Sequence, residues 1–191
     1  MVKIICEGKT DKNKISELLS FLGISCNDDN FIIMNSKSNI FKVDKADYKT
    51  LLRLIKADKI DNILFIVDAD YQKDNNEYGG YSNTKEKIEK LLLDLAIKEI
   101  SDYYIACNPN TKDGYLESLL LSTVDQNLKK CYSEFLDCID FKEKNHHKYI
   151  MEQLHKITQP NKPYDFNHKN FSELKEKLIR LFQFNDKSIY L

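Results

Sequence analysis

The sequence predicts an α/β fold in which a parallel sheet of about four strands is flanked by helices, with a helical extension at the C-terminus. Three observations carry this. Short apolar runs alternate four times with segments of helical periodicity. The strongest run, Ile63-Leu64-Phe65-Ile66-Val67, is five consecutive apolar residues and suits a strand buried on both faces. Beyond about residue 125 only helical patterns remain.

The elements follow in order. Val2 to Cys6 reads as a first strand, interrupted by Glu7-Gly8-Lys9-Thr10-Asp11. Ile15, Leu18, Leu19 and Leu22 recur at three- and four-residue steps and predict a helix over 13–22. Phe31 to Met34 forms a second strand, and Tyr48, Leu51, Leu52 and Ile55 mark a second helix. The third strand ends in Asp68-Ala69-Asp70, and the polar stretch 71–81 with Gly79-Gly80 predicts a loop. Ser82 or Asn83 is placed to cap a helix running to about Ile100. Tyr103 to Cys107 is the fourth strand, and its exit, Asn108 to Gly114, leads into a helix carrying Leu116, Leu119, Leu120 and Leu121. Further helices are expected near Leu128–Cys138, His147–Ile157 and Phe171–Phe182, with Pro160 and Pro163 fixing a break. The division expected is a metal-binding domain over 1–125 and a helical extension over 126–191 packed on it.

Bulk composition narrows the functional classes. With 29 Lys and Arg against 30 Asp and Glu in 191 residues, the net charge of -1 provides no global field to draw in nucleic acid. A local basic patch or a bound divalent ion could still supply positive charge at one point. The five cysteines have no CxxC or zinc-knuckle spacing and read as reduced thiols. No secretory pattern or membrane-length apolar run occurs, so the expected location is cytoplasmic, with no membrane partner. Gly8-Lys9-Thr10 superficially matches the end of a Walker A loop, but the first glycine is absent and the phosphate cradle with it. His146, His147 and His155 lack the spacing of a zinc ligand set. The eleven tyrosines and ten phenylalanines mostly stand singly in apolar patterns and read as core.

In an open parallel sheet, ligands gather beyond the carboxyl ends of the strands. Glu7, Asp68 and Asp70 leave strands one and three at that edge, and Asn108 and Asp113 follow strand four. Asp68 and Asp70 are two apart and point to one side as long as the chain stays extended. Two like-directed carboxylates repel when ionised, and a bound cation holds both charged. An Mg²⁺ ion takes oxygen ligands and retains waters, so two or three carboxylates suffice.

Taken together, the segments Val2 to Asp11 and Ile63 to Asp70 resemble the two signatures of a Toprim domain, the catalytic domain of topoisomerases, bacterial primases and several nucleases. The chain resembles small stand-alone Toprim-like proteins of unknown function related to the nuclease half of overcoming-lysogenization-defect proteins. The resemblance implies a Toprim-like sheet and an Mg²⁺ (or Mn²⁺) site. Glu7 would match the family's glutamate, Gly8 its following glycine, Asp11 its downstream aspartate, and Asp68 and Asp70 its acidic pair. The segment Asn108 to Leu121 resembles the glycine-x-leucine-glutamate stretch of the nuclease branch, which makes Glu117 an additional acidic residue. Separately, Lys148 in His146-His147-Lys148-Tyr149 loosely resembles that branch's later basic residue. Zinc-binding and DNA-gripping domains are absent from the sequence, which argues against a complete primase or topoisomerase.

The expected activity is metal-dependent phosphodiester cleavage of DNA or RNA. Glu7, Asp68 and Asp70 hold the first ion, and Glu117 or Asp113 help to hold a second. Lys9 or Lys148 contact phosphate. The competing expectation is a non-catalytic metal- or nucleotide-binding subunit that works with a separate ATPase, and the sequence leaves a homo-oligomer open. If Glu117 is no ligand, it is a first-turn helix charge worth about 0.3–1 kcal/mol.

Overall fold

The computed structural model describes residues 1–74, 76–138, 150, 153, 156–157 and 166–183. Four strands, β1 (Val2–Cys6), β2 (Phe31–Ile33), β3 (Asn62–Asp68) and β4 (Ser101–Ala106), form one sheet in the order β2-β1-β3-β4. Every pairing is parallel; Cys6 lies opposite Ile33 on one side and Ile66 on the other. The chain therefore moves outward from β1 in one direction to β2 and in the other to β3 and β4. The strand order reverses between β1 and β3, which is where such sheets open a crevice at their carboxyl ends.

Alternation along the strands decides which helices cover each face. Val2 and Ile4 of β1, Leu64 and Ile66 of β3, and Tyr104 and Ala106 of β4 form a core with α1 (Lys9–Phe21), α5 (Leu116–Leu121) and α7 (Ser172–Gln183). Ile5, Ile63, Phe65 and Val67 face the opposite way, against α2 (Lys37–Ile40), α3 (Ala46–Lys56) and α4 (Tyr81–Asp94). The result is a helix–sheet–helix sandwich. Phe65 is fully buried, and each such side chain contributes about 1.5–3 kcal/mol.

The C-terminal extension does more than lie on the surface. Phe171, Leu174 and Leu178 are at most 1% exposed and share the first core with β1 and β3, so α7 completes the layer that α1 and α5 begin. In contrast α6 (Gln126–Cys138) buries none of its residues among those described. The segment expected as a helix over His147–Ile157 lies largely outside the described residues, as do Pro160 and Pro163.

Several boundaries differ from expectation; helix α4 ends at Asp94, short of the expected Ile100, and others have local reasons. The first helix opens at Lys9 rather than Asn13, because Gly8 is its N-cap and the Asp11 carboxylate accepts the Gly8 N–H at 2.8 Å. Helix α4 is capped at Gly80 rather than by Ser82 or Asn83: Gly80 has φ +92, and its carbonyl accepts the Thr84 N–H at 2.9 Å. The chain between β2 and α3 contains the short α2, opened by Ser36, whose hydroxyl accepts the Asn39 N–H at 3.2 Å. No described helix is long and apolar enough to cross a membrane.

Candidate acidic centre at the carboxyl edge of the sheet

The Glu7 carboxylate leaves β1 and turns toward its neighbour: Oε1 accepts the Asp68 N–H at 3.1 Å. Asp68 closes β3 on the α5 face, where its Oδ1 accepts the Leu116 N–H at 2.9 Å and so anchors the start of α5. Adjacent parallel strands thus bring the Glu7 carboxylate to the Asp68 backbone, while the Asp68 carboxylate turns to the start of α5.

Asp70 arrives differently. The expectation that Asp68 and Asp70 extend to one side fails, because β3 ends at Asp68 and Asp70 adopts φ +59. The turn has a cause in the neighbouring loop. Asp70 forms an antiparallel bridge with Gly114, its N–H donating to the Gly114 carbonyl at 2.6 Å and its carbonyl accepting the Gly114 N–H at 3.2 Å. Gly114 itself has φ +88, and a Cβ there would overlap the Ser118 side chain. A glycine at 114 thus accommodates both the bridge to Asp70 and the Ser118 side chain packed against it.

The sequence reading missed Lys37. Its side chain is 6% exposed, and its ammonium donates to the Ala69 carbonyl at 2.8 Å and to Asp70 Oδ2 at 3.3 Å. Burial lowers its pKa, opposed by the charges of Asp70, Glu7 and Asp68, so all three carboxylates act on this one ammonium. Helix α2 is held in place by its neighbours: Asn39 Nδ2 donates to the Met34 carbonyl at 2.9 Å and the Tyr48 hydroxyl to the Ile40 carbonyl at 2.6 Å.

Glu117 also has an unforeseen partner. It is 6% exposed and accepts a hydrogen bond from the ammonium of Lys14, itself 4% exposed, forming a buried ion pair between α1 and α5. This is a different environment from an ordinary helix-end charge in solvent. Asp113 lies in the loop after β4, where its carboxylate accepts the Thr111 hydroxyl. Lys9 is exposed in the first turn of α1, and Lys148 lies outside the described residues. A cleft of about 530 Å³ opens beyond Asp70, lined by Tyr71, Lys73, Tyr81, Lys112 and Asp113 among others. Two thiols are buried, as a core role requires: Cys6 is pushed up to about 12 and Cys107 to about 11, burial being the main cause in each. Cys131 and Cys138 instead lie exposed on α6.

Among the described residues, no three His, Cys, Asp or Glu side chains stand in a metal-ligand arrangement. Ammonium groups rather than carboxylates are the nearest partners of Asp70 and Glu117. The donor chemistry nevertheless fits a hard cation. Glu7, Asp68 and Asp70 offer only oxygen, and the Glu7 carboxyl is pushed up to about 7 by burial and then by Asp70, despite the Asp68 N–H and Lys37.

That shift has a measurable consequence for stability. Between the ordinary value of 4.5 and about 7, folded Glu7 keeps a proton that the unfolded chain has released. Stability from this group therefore falls as pH rises through that window and is fully lost above about 7. In EDTA, the wild type should lose up to about 3 kcal/mol relative to Glu7→Gln between pH 4.5 and 8. Urea unfolding of both proteins at several pH values reads this, and a difference that stays constant with pH would rule out the shift.

Comparison with protein-family models, curated proteins and solved structures found no match. The functional argument therefore rests on the geometry of this chain and on the resemblance of its motifs.

Proposed function

We propose that this chain is a Toprim-like, Mg²⁺- or Mn²⁺-dependent nuclease whose centre lies at the carboxyl ends of β1 and β3. What supports the reading is that Glu7 follows β1 and Asp68 and Asp70 close and follow β3 where the strand order reverses, and that the charges of all three act on the buried Lys37. Glu7, Asp68 and Asp70 would hold the ion. When bound, the ion would supply Lewis acidity toward a phosphodiester and lower the pKa of water.

The chain's own residues divide the remaining work. Glu7, a carboxyl raised toward neutrality, is suited to carry a proton between water and the leaving oxygen where it is not held as a ligand. Asp68 fixes the start of α5 through Leu116 N–H and so ties the acidic centre to the Gly114 loop. Lys73 and Lys112, on the wall of the cleft beside Asp70, are placed to meet the phosphates of a DNA or RNA strand as point charges. The test is incubation with single- and double-stranded DNA and RNA in Mg²⁺ and in Mn²⁺. Cleavage that EDTA abolishes is expected; absence of metal-dependent cleavage across all four substrates sinks the nuclease reading.

A second reading has its own support. The Lys37–Asp70 and Lys14–Glu117 pairs already offset charge that a catalytic metal set would use, which favours a non-catalytic subunit acting with a separate ATPase. Co-elution with an ATPase encoded nearby, without cleavage by either protein alone, would select it.

A further inference from the structure

We propose that the exposed apolar stripe of α6 is a self-association surface, on which two copies of this chain pair their α6 helices antiparallel about a two-fold axis. The inference is independent of the metal reading above.

Its grounds are the spacing of the stripe, its exposure and the charges beside it. Leu128, Cys131, Phe135 and Cys138 follow one another at steps of three, four and three residues, the spacing of a helix that packs along another helix. All four are exposed, Leu128 at 42% and Phe135 at 54%, and they share one side of α6. The other side is the one turned to the protein: Lys129, Tyr132 and Leu136 are half-buried, and the Lys129 ammonium donates to the Ser122 carbonyl at 3.1 Å. A leucine and a phenylalanine aligned on the outward face of an otherwise polar helix mark a contact surface. Charge selects the occupant. Lys130 and Glu134 flank the stripe on one side, their side chains 76% and 63% exposed and 3.8 Å apart. A second copy running antiparallel sets each Lys130 near the partner's Glu134, and it layers Leu128 on the partner's Cys138 and Cys131 on the partner's Phe135. A parallel copy would instead set lysine beside lysine and glutamate beside glutamate, and align the helix dipoles unfavourably. The stripe is thus complementary to itself in one orientation. Its seam is short, so the pairing is weak and concentration-dependent.

The test is sedimentation velocity of the full chain under reducing conditions, from about 5 to 500 μM, the range in which a contact of this size associates. Wild type should pass from monomer to dimer across the series. Phe135→Lys should weaken association at least about tenfold with an unchanged melting temperature, since Phe135 is exposed in the single chain. Lys130→Glu and Glu134→Lys should each weaken it, and the double exchange should restore it, because opposite charges again meet across the seam. If Phe135→Lys does not fold, this charge series decides. Orientation is read by oxidative cross-linking: in a Cys131→Ser background, Leu128→Cys should join to the partner's Cys138. A monomer at every concentration, or a dimer that Phe135→Lys and the charge exchanges leave unchanged, would overturn the proposal. A monomeric wild type whose melting temperature falls on Phe135→Lys would show the stripe covered from within the chain and overturn it too. Cross-links joining Cys138 to the partner's Cys138 would contradict the antiparallel pairing.

Discussion

Asp68→Asn is expected to lower metal-dependent turnover by about a thousandfold, roughly 4 kcal/mol of transition-state stabilisation, while leaving the fold intact. Asp68 has two roles that this substitution separates. As an acceptor it anchors the Leu116 N–H at the start of α5, and an asparagine oxygen can accept the same bond. As a charge it belongs to the centre with Glu7 and Asp70, and an amide cannot replace it there. The melting temperature should hold, since the asparagine oxygen keeps the bond from the Leu116 N–H. Single-turnover cleavage beside a thermal melt reads both roles. Loss of fold would make Asp68 chiefly structural, and unchanged turnover would remove it from the chemistry.

Replacing Lys14 by methionine should destabilise the protein by about 3–5 kcal/mol, the scale expected when one member of a buried ion pair is removed and the other is left charged. Lys14 and Glu117 are both nearly inaccessible and join α1 to α5 across the first core. Desolvation makes the surviving carboxylate costly. The double substitution Lys14→Met with Glu117→Leu should recover most of the loss, since well-packed apolar side chains often replace a buried pair without penalty. Denaturant unfolding of the three variants forms the cycle. A double variant no more stable than Lys14→Met would contradict the pairing. The folded double variant also isolates Glu117 from the metal question: retained Mn²⁺ affinity would leave the ion to Glu7, Asp68 and Asp70.

The sheet was legible because both of its central strands carry apolar residues on successive positions, and the helices because their apolar residues recur at helical steps. The acidic rim was legible for the same reason, since parallel strands deliver their exits to one edge. What escaped the reading was the source of positive charge. Lys37 sits in Asn35-Ser36-Lys37-Ser38-Asn39, a polar string that looks like a solvated loop, and only the Ser36 cap gives local notice of a helix. Lys14 offered a clearer signal, lying one turn before Leu18 and hence near the apolar face of α1. The direction of Asp70 could not be read from spacing at all, because its left-handed turn answers to Gly114, a residue 44 positions away in sequence. Local periodicity does not encode such a bridge.

The most direct test of the central claim is anomalous diffraction from crystals soaked in MnCl₂. The account predicts a manganese peak at the carboxyl edge of β1 and β3, bounded by Glu7, Asp68 and Asp70. A peak ligated elsewhere, or no peak at that edge at Mn²⁺ concentrations that saturate the protein in solution, would contradict it.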